Sequence, residues 1–276
     1  MDNINAPQTR KDLYDYNLGY FFLIVVLYLI IGRPIISAIG IAVSLSEPMA
    51  LYIHGVLRIL IAMPCILALR KILQAHGLET TFMLGGLKKG LFAHAFLILV
   101  IALFILAFFY IAEINVEFIP IIPSIVFFEI GTGLFEEALF RGLLLTALLI
   151  QYGATAKGRI SCVLVNGILF GALHLFNSIY HFNILTFLLV SVMGVCFAAA
   201  YTYSKNLLAC MFFHMLWNVV IKIGNGLVAE LYQPSIAAQL DVLVNILFFV
   251  MIPLFAIIIT IKSKPLYIAT EPDTAV

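Results

Sequence analysis

The chain has 276 residues, of which 64% are hydrophobic and 11% charged, with a mean hydropathy of +1.14. A soluble domain carries about 25% charged residues, so there is too little polar surface here to coat a water-soluble body, and the apolar surface must meet lipid. A formal net charge of +1 with no basic patch excludes a nucleic-acid partner.

In chain order, stretches of about 20 mostly apolar residues, the length a spanning helix needs, fall at 18–44 (interrupted at Arg33-Pro34), 49–69, 91–111, 121–150, 160–179, 184–202, 207–223 and 242–261. The spacing therefore predicts an all-α fold: a polytopic transmembrane bundle of about eight spans. Loop charges test the count, because Lys and Arg collect on the cytoplasmic side. With the N-terminus inside, the inner segments hold Arg10, Lys11, Arg70, Lys71, Lys88, Lys89, Lys157, Arg159, Lys205, Lys262 and Lys264. The outer loops hold Lys222, and Arg33 if the first helix ends at Pro34. Both termini are thus expected in the cytosol. Arg10 and Lys11 precede an apolar run that has no clear small-residue cleavage site after it, which reads as an uncleaved first span rather than a signal peptide. No internal repeat or soluble insert interrupts the pattern, so residues 1–276 are expected to form one transmembrane domain. Cys65, Cys162, Cys196 and Cys210 all lie in apolar runs without a CxxC pair, and read as small buried hydrophobes.

Ionisable groups inside these spans carry the functional signal, because a charge at the bilayer centre costs at least about 2.5–3.5 kcal/mol. The fourth span contains Glu136-Glu137-Ala138-Leu139-Phe140-Arg141. At about 100° per residue, Glu137 and Arg141 share a face and can form an i,i+4 ion pair. Glu136 lies about 140° around from Arg141 and must find its partner on another helix or take up a proton. Glu129, seven residues before Glu136, lies on the same face. On the fifth span Phe170 and His174 share a face, and Gly167 and Gly171 form a GxxxG pattern that admits a close neighbour. A close neighbour there is useful if His174 is to meet a group from the fourth span. The seventh span carries His214 and Asn218 at i,i+4, with Cys210 one turn earlier and Trp217 as a packing or interfacial aromatic. Counted at 1.5 Å per residue, Glu136 and His174 sit roughly 21 Å from the inner ends of their spans and His214 roughly 10 Å. His54 and Arg58 on the second span form a further i,i+4 pair. They read as structural, with Glu129 or a substrate path as alternatives.

Each piece alone has an ordinary packing explanation. Together they supply the parts of a hydrolase: Glu136 as a general base toward water, His174 to orient that water or shuttle its proton, and His214 with Asn218 to donate to an oxyanion.

The motifs Glu136-Glu137-xxx-Arg141, Phe170-xxx-His174 and His214-xxx-Asn218, in this order on three spans, resemble the CPBP family, which includes type II CAAX prenyl endopeptidases and bacteriocin-processing or immunity proteins. The resemblance covers residues 136–218, with no departure at a motif position. It implies a helical bundle with a catalytic core at about 121–223 and a cavity open to the cytosol. It also implies Glu136 as base with His174 its partner, His214 and Asn218 at the oxyanion, and Glu137, Arg141 and Phe170 in support. The family has been described both as zinc metalloproteases and as glutamate-dependent. Glu136, His174 and His214 are the zinc set if a metal is used. An HExxH helix is absent, so water activation without a metal or other cofactor is the expectation. The expected substrate is a membrane-associated peptide, either prenylated or carrying a leader, acted on within the lipid. Short loops and the lack of an ER-retrieval tail point to a bacterial plasma membrane. A proton- or ion-coupled transporter and a non-catalytic immunity protein are the alternatives; oligomeric state is open.

Overall fold

The computed structural model describes residues 10–28, 38, 45–75, 86–175, 183–231, 239 and 242–266. In chain order the helices are α1 (Arg10–Leu27), α2 (Glu47–Ala75), α3 (Leu87–Ala93), α4 (Ala95–Ile111), α5 (Ile122–Glu137), α6 (Thr146–Tyr152), α7 (Ala156–Leu175), α8 (Ile184–Ser204), α9 (Leu207–Leu227) and α10 (Ile252–Lys262). A short antiparallel pair, β1 (Ala112–Ile114) with β2 (Val228–Leu231), ties the end of α4 to the end of α9, so those two helices finish at one level. The all-α expectation holds for everything else described.

Six helices are long and apolar enough to cross a membrane: Glu47–Leu67, Val116–Tyr152, Ala156–Leu175, Ile184–Ser204, Leu207–Leu227 and Val242–Lys262. A seventh is formed if α3 and the first part of α4, bent by 62°, count as one broken span. The expectation of eight is therefore six or seven among the described residues. The apolar part of α1, Tyr14–Leu27, is shorter, and most of 29–44, where the rest of the predicted first span falls, lies outside the described residues. So do 176–179 of the predicted fifth span and both chain termini. The outer surface is apolar: Leu60 is 62% exposed, Leu106 64%, Ile168 51% and Phe212 51%. Side chains of that kind at that exposure belong against hydrocarbon. This is a multi-pass integral membrane protein.

α5 is the axis of the bundle, with α2 packed along one side and α9 along another. The glycine at 133 makes the second contact possible: a Cβ there would sit 2.7 Å from the Met211 carbonyl oxygen of α9. α7 and α8 form the closest pair, and α10 packs on α8. The Gly167-xxx-Gly171 pattern serves this α7–α8 contact rather than an approach to the fourth span. A Cβ on Gly167 would lie 2.6 Å from Val195 N and 3.0 Å from Ser191 O, and one on Gly194 would lie 2.8 Å from Gly167 Cα. Substituting Gly167 with leucine is expected to force these backbones apart. In detergent the variant should lose its cooperative thermal unfolding transition, whereas Leu164→Ala, at a 41% exposed position of the same helix, should keep it.

Between α5 and α6 the helix does not break but widens into a π-helical segment, Ala138–Leu145. A wider turn frees carbonyls, which in a bilayer must be satisfied internally. Thr146 Oγ1 donates to the Arg141 carbonyl (2.9 Å), and Asn166 Nδ2 of α7 donates to the Phe140 carbonyl (2.9 Å). The widening is thus locked by two buried polar side chains, and its residues 138–145 are all buried.

Arg159 donates to the Gly153 and Ala154 carbonyls at the end of α6 and to Ile261 O and Ser263 Oγ at the end of α10. One cation thereby caps two helix C-termini, where the dipole favours positive charge. α8 closes at Lys205, which is left-handed (φ 56). Burial, and the Arg159 guanidinium beside it, pull the Lys205 ammonium down to about 7.

Candidate active site

Helices α5, α7 and α9 bring Glu136, His174 and His214 together. Glu136 Oε2 lies 3.7 Å from His174 Nε2 and 3.7 Å from His214 Nε2. The Glu136 side chain is 16% exposed and that of His174 25%, while His214 is nearly closed off at 5%. Both ring orientations are held from behind. His174 Nδ1 is 2.8 Å from the Phe170 carbonyl. A carbonyl only accepts, so Nδ1 carries the hydrogen and a neutral ring presents a bare Nε2 to Glu136. His214 Nδ1 is 2.7 Å from Glu137 Oε1, and the same oxygen accepts from Arg141 Nη1 at 2.9 Å. A carboxylate paired with arginine is an acceptor, so His214 also turns a bare Nε2 toward Glu136 in its neutral form. Three acceptor atoms, none in direct hydrogen-bonding contact with another, thus face one small volume. A water bridging two of them would give a hydrogen to each and keep a lone pair available.

The two glutamates separate as helical geometry predicts. Glu137 and Arg141 form a fully buried i,i+4 pair. Arg141 Nη2 also donates to the Gly194 carbonyl of α8 at 3.0 Å, and its guanidinium stands 4.7 Å from the Phe170 ring centre and 5.4 Å from that of Phe197. Phe170 touches almost everything here: its ring centre is 4.6 Å from His174, 5.8 Å from His214 and 4.8 Å from Phe140. It excludes water from one side of the imidazoles and so raises the strength of the charges around them.

Asn218 sits one turn beyond His214, and its amide is engaged elsewhere: Nδ2 donates to Glu129 Oε2 at 2.8 Å. Lys222 Nζ pairs with the other oxygen of Glu129. Lys222 was assigned to an outer loop from sequence, whereas α9 runs on to Leu227 and carries it on the helix. The signal was present as the i, i+4, i+8 series His214, Asn218, Lys222. These three face Glu136/Glu137 and Glu129 in reverse order, as an antiparallel polar ladder between α5 and α9. Arg58 does not partner Glu129. Its Nη1 donates to Thr132 Oγ1, its Nη2 reaches Tyr28 Oη at 3.3 Å, and its guanidinium lies 4.4 Å from the Phe128 ring centre. His54 stands edge-on to Phe128, ring centres 6.3 Å apart. Trp217 is a packing residue, stacked on Phe248 with ring centres 5.6 Å apart. The four cysteines are free and buried.

The zinc alternative named Glu136, His174 and His214. Among the described residues no group of three or more His, Cys, Asp and Glu side chains is arranged to hold a metal ion.

A bundle of long apolar helices enclosing a Glu–His–His cluster braced by a buried Glu–Arg pair defines a multi-pass membrane protein with an ionisable cluster among its helices. Residues 118–220 match the family model described as Type II CAAX prenyl endopeptidase Rce1-like. That segment holds all three motifs, and the family it resembles is one of CAAX-type intramembrane proteases. No curated protein and no solved structure matches the chain.

Proposed function

We propose that the chain hydrolyses a peptide bond in a membrane-associated or lipidated peptide, using a water activated by Glu136. The observation that carries this is the convergence of Glu136 Oε2 with His174 Nε2 and His214 Nε2, each at 3.7 Å, with both Nδ1 atoms occupied from behind. A water donating to Glu136 and His174 attacks the scissile carbonyl with its free lone pair. Its proton passes to Glu136 and then, directly or through His174, to the departing amine, so the base ends each cycle as it began. As water adds to the carbonyl carbon, the oxyanion that forms on the carbonyl oxygen is met by His214 and Asn218. His214 Nδ1 is committed to Glu137, so Nε2 donates only when the ring is an imidazolium, for which the Glu137 carboxylate is the counter-ion. Asn218 has a second amide hydrogen beyond the one given to Glu129. Each such donor contributes about 2.7–4 kcal/mol in a site of this kind.

The substrate class is a peptide delivered in the plane of the membrane, because Glu136 and His174 are open only partly and the surrounding surface is apolar. A prenylated C-terminus and a leader peptide both meet that description. In this reading residues 1–276 form one transmembrane domain with its catalytic core at 121–223. The cavity and both termini face the cytosol of a bacterial cell, and the reaction needs no metal or other cofactor.

The test is cleavage by the purified protein in detergent or proteoliposomes of a panel of prenylated, unprenylated and leader peptides, read by mass spectrometry. Cleavage with one oxygen from solvent entering the new C-terminus is expected, and chelators should leave the rate within twofold. A wild-type protein that cuts none of the panel but carries protons or ions across proteoliposomes would replace this reading with transport. Loss of activity on chelation, restored by zinc, would overturn the metal-free step.

A further inference from the structure

Glu129 is a fully buried carboxylate at a position none of the three motifs contains. Keeping an ionised group there costs several kcal/mol of desolvation unless it is paired and hydrogen-bonded. It is both: Oε2 accepts from Asn218 Nδ2 at 2.8 Å and Oε1 pairs with Lys222. Lys222 is 46% exposed and stands 4.3 Å from the Phe128 ring centre, so the ion pair is anchored at the open end of the ladder and the amide at its inner end.

We infer that Glu129 is a positioning residue that fixes which way the Asn218 amide points. The inference rests on the oxyanion role given to Asn218 above. A primary amide has a donor end and an acceptor end that differ little in shape, and rotation by 180° exchanges them. Facing a substrate oxyanion, the wrong end places oxygen against oxygen. A carboxylate accepts and never donates, so an ionised Glu129 takes only the NH2 end. Lys222 pairs with its other oxygen, so the carboxylate is held at both ends by donors. One N–H of Asn218 is then spent on Glu129, and the other is left in a single direction for the reaction. The i, i+4, i+8 spacing on α9 is what lets one helix face carry the donor (His214), the oriented donor (Asn218) and the counter-ion (Lys222) in register with Glu136 and Glu129 on α5.

The sharp variant is Glu129→Gln, which keeps shape and one acceptor but adds a donor that can pair with Asn218 Oδ1, so both amide orientations become allowed. With a peptide the wild type cleaves, kcat is expected to fall about tenfold with KM unchanged, because the lost contact exists only in the transition state. Asn218→Ala should cost more, about 10²–10³-fold. The deciding measurement is the double variant. If Glu129 acts through Asn218, Glu129→Gln in the Asn218→Ala background has no further effect on kcat, and Lys222→Met is likewise silent there. A merely structural role would lower thermal stability equally in both backgrounds and leave the two kcat losses multiplicative. Multiplicative losses, or a raised KM with kcat intact, overturn the inference while leaving peptide cleavage standing. Wild type that cleaves nothing overturns both.

Discussion

Glu136→Gln is expected to lower the rate of peptide cleavage by about 10²–10⁴-fold, the range for loss of a positioned general base, without unfolding the protein. Glutamine has nearly the same volume, and Glu136 is the less constrained of the two adjacent glutamates. Its carboxylate touches the imidazoles only at 3.7 Å and is 16% exposed, whereas Glu137 accepts two hydrogen bonds in full burial. The variant should therefore bind a substrate peptide with KM little changed while kcat collapses. The check is kcat and KM on the same peptide together with a thermal unfolding curve in the same detergent. Equal cleavage by Glu136→Gln and wild type would remove Glu136 from the reaction.

Arg141→Met is expected to have the opposite profile, a large loss of stability that takes activity with it. Arg141 is wholly buried, donates to Glu137 and to the Gly194 carbonyl, and leans on the Phe170 and Phe197 rings. Removing it strands the Glu137 carboxylate in a low-dielectric core, with a backbone carbonyl of α8 unpaired beside it. Breaking one side of a buried pair costs about 3–5 kcal/mol. His214 is affected next, because its Nδ1 hydrogen bond is to the same Glu137 oxygen. The double variant Glu137→Gln/Arg141→Met removes the stranded charge and should recover most of the stability, since the penalty lies in the unpaired ion rather than in the loss of attraction. Activity should not return with it, because His214 then lacks the counter-ion its donor form requires. Denaturant-induced unfolding of the three proteins decides the first point, and cleavage rates decide the second. If Arg141→Met is as stable as wild type, the pair is not what braces the site.

The amino-acid sequence alone determined the membrane environment, because 64% hydrophobic residues with 11% charge leave no water-soluble solution. It also made the Glu137–Arg141 pair and the isolation of Glu136 legible, since both follow from angular spacing within one helix. Pairing and phase between helices are different matters. The GxxxG of α7 was readable as a close contact, but only the bundle reveals that α8 fills it. The depth count brought Glu136, His174 and His214 only to within about two turns of one another. Counting along separate straight helices takes no account of the π-helical segment after Glu137 or of the approach of α9 at Gly133, and Glu136 and His214 meet at 3.7 Å. The same limit hid Lys222, whose role depends on α9 continuing past the apolar stretch. Glu129 was visible as a face-mate of Glu136, yet its partners lie 89 and 93 residues away in the chain. Angular periodicity within a helix is local and survives in the sequence, whereas the choice of which faces meet is set by packing over the whole bundle and exists only once the chain has folded.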